Sequence, residues 1–252
     1  SHAASFALIV YASAWLKTHH PAAFACALLN SQPMGFYSPS SLVRDAQDHG
    51  VLVLPPCVLS SSWDSTLEGE GVRGLSIRGP LRLGLGQIKG LGEASVRSLC
   101  RVREARGLSS LDELSRLCGL RKDELEALAE AGALAELEPQ RREALWKLRA
   151  PRLGGLFEGQ TLEEQRTPSL PELLPMEQLL LDYGRVGLSL TDHPLCHLRP
   201  RLRRRGAVRA EDLSYLRHGA EVVVAGLVLG RQRPGTASGL TFVSLEDETG
   251  SL

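Results

Sequence analysis

The sequence predicts a mainly α chain that closes in a small, incomplete β-unit. Three observations carry this. Apolar residues recur at helical spacing through Leu148. The main strand signals gather after Ala220. Within the helical region, at residues 88–92, a Gly–apolar–Gly turn joins two apolar helical segments.

The elements follow in order. Ala4, Ala7, Leu8, Tyr11, Ala14 and Trp15 share one helical face and predict an opening helix. Pro21 suits the first turn of a second helix carrying Phe24, Ala27 and Leu28. Ser38-Pro39 opens a third, with Leu42, Val43 and Ala46 inward and Gly50 as its stop. Residues 51–54 are apolar and β-branched, ended by Pro55-Pro56, and residues 69–80 predict a short Gly-rich hairpin. Residues 85–105 read as helix, tight turn, helix. Ser110 with Glu113 forms a capping box before Leu111, Leu114 and Leu117. Residues 121–131 and 140–148 are further helices, the first closed by Gly132. Proline, glycine and polar residues make 150–175 a linker, and residues 176–183 a short helix stopped by Gly184. Residues 221–229 and 240–245 are strands joined by the turn Arg233-Pro234-Gly235.

Lysine plus arginine (29) equals aspartate plus glutamate (29), so net charge says nothing about partners, but its distribution does. Arg73, Arg78, Arg82, Lys89, Arg97, Arg101, Arg103 and Arg106 outnumber Glu93 and Glu104 across one stretch. Arg199, Arg201, Arg203, Arg204, Arg205 and Arg209 form a second basic run, while acids collect at 123–138 and 158–177. Separated basic blocks bind a polyanion locally in a neutral chain. The five cysteines, Cys26, Cys57, Cys100, Cys118 and Cys196, are odd in number and far apart. They point to reduced thiols in a cytoplasmic protein rather than to a disulfide frame or a zinc site. The longest apolar run, 222–229, is too short to cross a bilayer. The chain opens without Met and ends inside a strand pattern, which we read as a fragment of something larger.

The most informative stretch is Ile88-Lys89-Gly90-Leu91-Gly92-Glu93, continuing through Arg97. Gly–apolar–Gly between helical segments is a helix-hairpin-helix signature. The glycines allow a sharp turn and close approach of a ligand. The second helix begins at the turn, so its unpaired N–H groups, backed by the helix dipole, suit a phosphate oxygen. Lys89, Gly90, Leu91, Gly92, Glu93 and Arg97 are the candidate DNA-binding residues; such a site grips backbone without reading bases. The bland reading is a packed Gly turn with incidental arginines. Residues 110–134 form a degenerate second hairpin whose acidic surface suits packing rather than phosphate. Residues 221–245 resemble the opening of an OB-type barrel, with Phe242 able to stack and Arg231 and Arg233 able to meet phosphates.

Catalytic patterns are missing. The sequence has no HExxH, GxSxG or Walker loop, and Gly84-Leu85-Gly86 lacks a dinucleotide-site setting. His19-His20 reads as a helix junction and Asp192-His193-Pro194 as a loop turn. No clustered carboxylate trio offers to hold the two metals of nucleotidyl transfer.

The landmarks together resemble the C-family bacterial DNA polymerases, the polymerase III alpha subunits and their error-prone relatives. Ser1-His2-Ala3-Ala4-Ser5-Phe6-Ala7, Tyr11, Ala14-Trp15-Leu16-Lys17, His20-Pro21, Phe24 and Leu28-Leu29 resemble their fingers domain. Val53-Leu54-Pro55-Pro56-Cys57-Val58, then Leu83-Gly84-Leu85-Gly86-Gln87-Ile88-Lys89-Gly90-Leu91-Gly92, match their next landmarks and helix-hairpin-helix. Gly187-Leu188-Ser189-Leu190 with His193-Pro194-Leu195 resembles the approach to their OB domain.

The resemblance implies late fingers helices at 1–60, a helix-hairpin-helix domain at 61–150, a linker with short helices at 151–218 and a truncated OB domain from 219 to 252. It places the catalytic aspartates in a palm domain upstream, so this segment is expected to be inactive alone. No cofactor is expected here, and magnesium is expected for the full polymerase. It makes His2 a candidate contact to the incoming nucleotide. The family's clamp-binding peptide begins with Gln; Leu153-Gly154-Gly155-Leu156-Phe157 lacks it. That departure speaks against sliding-clamp binding and favours the error-prone branch, which works with mutagenesis accessory proteins in damage-tolerant synthesis. Template-primer DNA is the expected partner, and no membrane. The competing expectation is a stand-alone helix-hairpin-helix/OB nucleic-acid-binding protein.

Overall fold

The computed structural model describes residues 2–35, 37–69, 79–149, 170–236 and 239–252. They fall into two compact units, Ser1–Leu190 and Thr191–Leu252.

The first unit opens with helices α1 (His2–His19), α2 (Pro21–Asn30) and α3 (Pro39–Asp48). Proline begins α2 and α3, where its missing N–H costs nothing. The Ser38 hydroxyl caps α3 by accepting the Ser41 N–H at 3.2 Å. Leu42, Val43 and Ala46 point inward as their spacing requires. Helix α1 departs from the amphipathic expectation. None of its residues is buried, and Leu8 and Tyr11 are 71% and 70% exposed. Its apolar side chains surround the axis, so no single face is marked for the core.

Strands β1 (Val53–Leu54), β2 (Thr66–Leu67) and β3 (Leu81–Arg82) form a sheet in the order β1-β3-β2. Strands β1 and β3 are parallel, with Val53 opposite Leu81; β2 and β3 are antiparallel, with Thr66 opposite Arg82. The expected 69–80 hairpin lies mostly outside the described residues.

Residues 85–105 were expected to be two helices around a turn. The first is instead a single 3-10 turn, Leu85–Gln87. The Leu85 and Gly86 N–H groups donate to the Ser62 and Trp63 carbonyls at 2.8 and 2.9 Å, drawing the chain onto the 62–65 loop. A Cβ on Gly84 would lie 2.3 Å from the Trp63 carbonyl oxygen. This close backbone approach is what Gly84 is for, and no ligand is needed to explain it.

Helices α4 (Glu93–Arg106), α5 (Leu111–Leu117), α6 (Lys122–Glu130), α7 (Arg141–Arg149) and α8 (Pro175–Arg185) complete the unit. The Ser110 hydroxyl caps α5 as expected, but the Glu113 carboxylate returns to Ser109 rather than to Ser110. Gly184 lies within α8. The helix stops at Gly187, φ +81°, with the Val186 and Gly187 N–H groups both on the Asp182 carbonyl. Leu83, Leu85, Ile88, Val96, Leu99, Leu114, Leu128 and Leu134 are at most 2% exposed in one continuous core. Each such side chain contributes about 1.5–3 kcal/mol by leaving water. Val186 and Leu188 belong to the same core, so this part of the expected 151–218 linker is built into the first unit. Residues 153–157 lie outside the described residues.

The second unit holds α9 (Pro194–Arg204), β4 (Ala207–Val208), a 3-10 turn at Glu211–Tyr215, β5 (Val223–Val224), β6 (Leu227–Gln232), β7 (Phe242–Asp247) and β8 (Gly250–Ser251). Helix α9 is one of the short helices expected within 151–218, and it continues through Pro200. His193 starts it, its ring nitrogen accepting the Leu195 N–H at 3.2 Å, so Asp192-His193-Pro194 is a helix start. The expected strand 221–229 divides at Gly226. Strand β5 runs parallel with β4, and β6 pairs with β7 antiparallel. Since β4 already belongs to this unit, its β-structure begins upstream of residue 219. The whole is mainly α with few, short strands, consistent with an incomplete OB-type unit.

Candidate nucleic-acid interface

The hairpin of the first unit sits on α6, with the end of α8 beside it. Gly90 takes φ +98°, a left-handed conformation that L side chains avoid. A Cβ there would lie 3.8 Å from the Ala127 Cβ on α6. Leu91 turns its side chain into the core. Lys89, Gly90, Glu93, Ala94 and Arg97 face solvent.

Gly92 is different from Gly90. Its φ of −95° and ψ of 141° are open to any residue, so the positive-φ role belongs to Gly90 alone. The Gly92 N–H, expected to face phosphate, donates to the Glu124 carboxylate at 3.2 Å. Glu124 is 1% exposed and also accepts the Arg121 N–H at 3.0 Å. Burial pushes this carboxyl up. Hydrogen bonds from the Arg121 amide, the Ser95 side chain and the Gly92 amide, with the Arg121 charge, outweigh burial and hold it below the usual carboxylate range. Glu124 therefore braces the hairpin from beneath.

The amides that remain for an anion begin one residue later. The first intrahelical bond of α4 is from Val96 N–H to the Gly92 carbonyl, 3.1 Å. Glu93, Ala94 and Ser95 precede it at the helix N-terminus, and among the described residues their N–H groups have no recorded backbone acceptor.

The basic stretch sorts itself by partner. Arg82 is paired with Glu68 at 2.6 Å. Arg97 is paired with Glu93, its Nε donating at 3.0 Å, so it reaches the surface with its charge matched. Arg103 donates to the Val58 and Ser61 carbonyls at 3.0 and 2.7 Å and ties α4 to the 57–61 turn. Lys89, Arg101 and Arg106 form no recorded ion pair among the described residues. Arg73 and Arg78 lie outside them. Arg199 of the second run is likewise internal to its own unit, paired with Asp247 and Glu248.

Sequence reading missed Glu124, taken for part of an acidic surface, and Arg185, taken for part of a linker. The signal for Glu124 was its place in the first turn of α6, where a carboxylate caps free amides. Arg185 carried none. The second hairpin, closing at residues 131–134, is packed inward: Ala131, Ala133 and Leu134 are buried. Arg141 lies over Gly132 and donates to Asp182 at 2.7 Å, so an arginine of the chain itself occupies that turn.

His2 is exposed on the first turn of α1, its ring 4.3 Å from that of Phe6. Phe242, Arg231 and Arg233 are exposed in the second unit. All five cysteines are free thiols, with Cys57 and Cys118 buried. Among the described residues no group of His, Cys, Asp and Glu is gathered to hold a metal ion. Nor is any described helix long and apolar enough to cross a membrane.

Residues 50–144 match the helix-hairpin-helix motif family. The whole chain is similar to curated error-prone DNA polymerases. It is 48% identical to that of Dechloromonas aromatica over 252 residues, 99% of this chain and 24% of the relative. Against the error-prone DNA polymerase of Pseudomonas aeruginosa the identity is 48% over 254 residues, and against that of Burkholderia pseudomallei 46% over 254. Each match takes in 100% of this chain and 24% of the relative. The chain thus spans about a quarter of the length of these relatives. Along its whole length the chain is thus similar to a segment of the error-prone DNA polymerases, and that segment includes the helix-hairpin-helix whose geometry is described above.

Proposed function

We propose that this chain is the portion of an error-prone DNA polymerase, used in damage-tolerant synthesis, that grips the template-primer by its phosphate backbone. One observation carries the reading. The Glu93, Ala94 and Ser95 amides open α4 beside an exposed glycine turn, and Lys89 stands at its rim with no ion pair among the described residues. Free amides at a helix start, a bare turn and an unmatched cation are what a phosphate oxygen needs. The Gly92 amide is not part of this set, because Glu124 holds it. Arg97 contributes charge only as far as Glu93 releases it.

Polymerisation itself, an incoming-nucleotide contact at His2, magnesium and mutagenesis accessory proteins belong to this proposal for the full-length protein. A stand-alone helix-hairpin-helix/OB protein would use the same contacts; 46–48% identity to polymerases along the entire chain favours the polymerase.

The test is a duplex-DNA titration at several salt concentrations. Each neutralised phosphate contributes about 0.9 to the logarithmic salt slope. Lys89→Ala should lower that slope by about 0.9 without unfolding, and affinity should be indifferent to base sequence. A folded Lys89→Ala protein with the parent's slope would reduce the hairpin to a packing element.

A further inference from the structure

Arg185 reaches the hairpin from outside the motif. It ends α8, 96 positions beyond Lys89. The backbone makes the junction: the Lys89 N–H donates to the Arg185 carbonyl at 2.8 Å. The Arg185 side chain then folds along the turn. Its Nη1 is 3.5 Å from the Lys89 carbonyl oxygen and 3.5 Å from where a Cβ on Gly90 would stand. Its Nε donates to Glu130 Oε2 at 2.6 Å.

This places a guanidinium in a specific pose. Of the donors such a group carries, the Nε edge is pinned by α6 and Nη1 brushes the turn. Among the described residues no acceptor is recorded for Nη2. The side chain is 31% exposed. The Lys89 ammonium lies at the same junction: its Nζ is 4.0 Å from where a Cβ on Gly187, two residues past the end of α8, would lie. The Arg185 guanidinium thus lies against the left-handed Gly90 and the Lys89 ammonium beside Gly187, and among the described residues Glu130 is the one acid paired to either.

We propose that Arg185 is a phosphate ligand of the hairpin, so that the DNA site is composite: Glu93, Ala94 and Ser95 supply amides, Lys89 supplies one cation, and the end of α8 supplies a second. The proposal rests on the DNA-gripping reading above. Glu130 is a positioning residue. By holding Nε it freezes a flexible side chain before binding and leaves Nη2 as the donor for a phosphate oxygen. The plainer alternative makes Arg185 a tether between α8 and α6 and nothing more.

The experiment compares the whole 252-residue chain with Lys89→Ala, Arg185→Gln and the double variant, each confirmed folded by its melting curve. The readout is duplex-DNA affinity at several salt concentrations. Arg185→Gln keeps the backbone bond to Lys89 and a side-chain donor for Glu130. It should still lower the slope by about 0.9 and weaken binding about fivefold to tenfold near 0.1 M salt. The double variant should lose about twice that slope. If Lys89→Ala lowers the slope and folded Arg185→Gln does not, Arg185 is a tether and the composite site is wrong while the hairpin stands. If neither changes it, the hairpin reading fails and takes Arg185 with it. A second measurement needs no variant. Dicarbonyl modification of the parent's arginines, read by mass spectrometry, should show Arg185 protected by duplex DNA; an unchanged rate with DNA bound overturns the proposal.

Discussion

Glu124→Gln tests whether the hairpin is braced by a buried carboxylate. Glu124 is 1% exposed, and its two oxygens take the Gly92 and Arg121 amides at 3.2 and 3.0 Å. Glutamine keeps the volume but replaces one of these oxygens by an NH2, which faces an N–H and cannot accept it. One charge-assisted hydrogen bond is lost and the other becomes neutral. At about 1.5–3 kcal/mol for a hydrogen bond to a charged group, the expected loss is about 2–3 kcal/mol. For a unit of this size that lowers its melting temperature by roughly 5–10 °C. The acid dependence has a definite sign. The folded carboxyl lies below its ordinary value, so its stabilisation is present above that value and fades as pH falls through the depressed one. Urea unfolding at pH 7 and in mild acid reads both: the parent should weaken on acidification by more than the variant does. Hydrogen exchange at the Gly92 amide supplies the local reading and should accelerate in Glu124→Gln. An unchanged midpoint, with Gly92 as protected as in the parent, would refute the brace.

Three other outcomes follow from the same geometry. Gly90→Ala should destabilise by about 1–2 kcal/mol, because φ +98° strains any L side chain. Gly92→Ala should cost less, since its new Cβ would sit at ordinary contact distance, 3.4 Å from Glu124 Oε1 and 3.7 Å from Ser95 Oγ; paired urea titrations giving the reverse order would contradict the assignment of the turn. In the second unit Asp247 is fully buried and accepts from the Ala210, Thr249 and Gly250 amides, the Thr249 hydroxyl and Arg199. Burial raises its pKa, the hydrogen bonds led by Thr249 overcome that, and the net shift is downward. Asp247→Asn should therefore cost about 2–3 kcal/mol at pH 7 and flatten the loss of stability below about pH 4; a parent-like acid profile would refute this. Primer extension with magnesium and four nucleotides should stay at blank level for this chain alone, and incorporation above blank would show that it polymerises unaided.

The local grammar of the chain was readable without coordinates. Ser38-Pro39 and Ser110 announced helix starts because a cap forms within its own turn. Ile88 to Gly92 announced the hairpin because a positive-φ glycine leaves its mark in the sequence. Basicity was equally plain, but its availability was not. Whether an arginine meets DNA depends on which carbonyl or carboxylate the fold brings beside it. Arg103 is claimed by carbonyls 42 and 45 positions away and Arg199 by acids 48 and 49 positions away, and Arg185 is delivered to a turn 96 positions upstream. The Gly92 amide looked free until α6 placed Glu124 against it. Turns and caps are settled by neighbours along the chain. Charge neutralisation and amide occupancy are settled by neighbours in space, and those exist only once the core has closed.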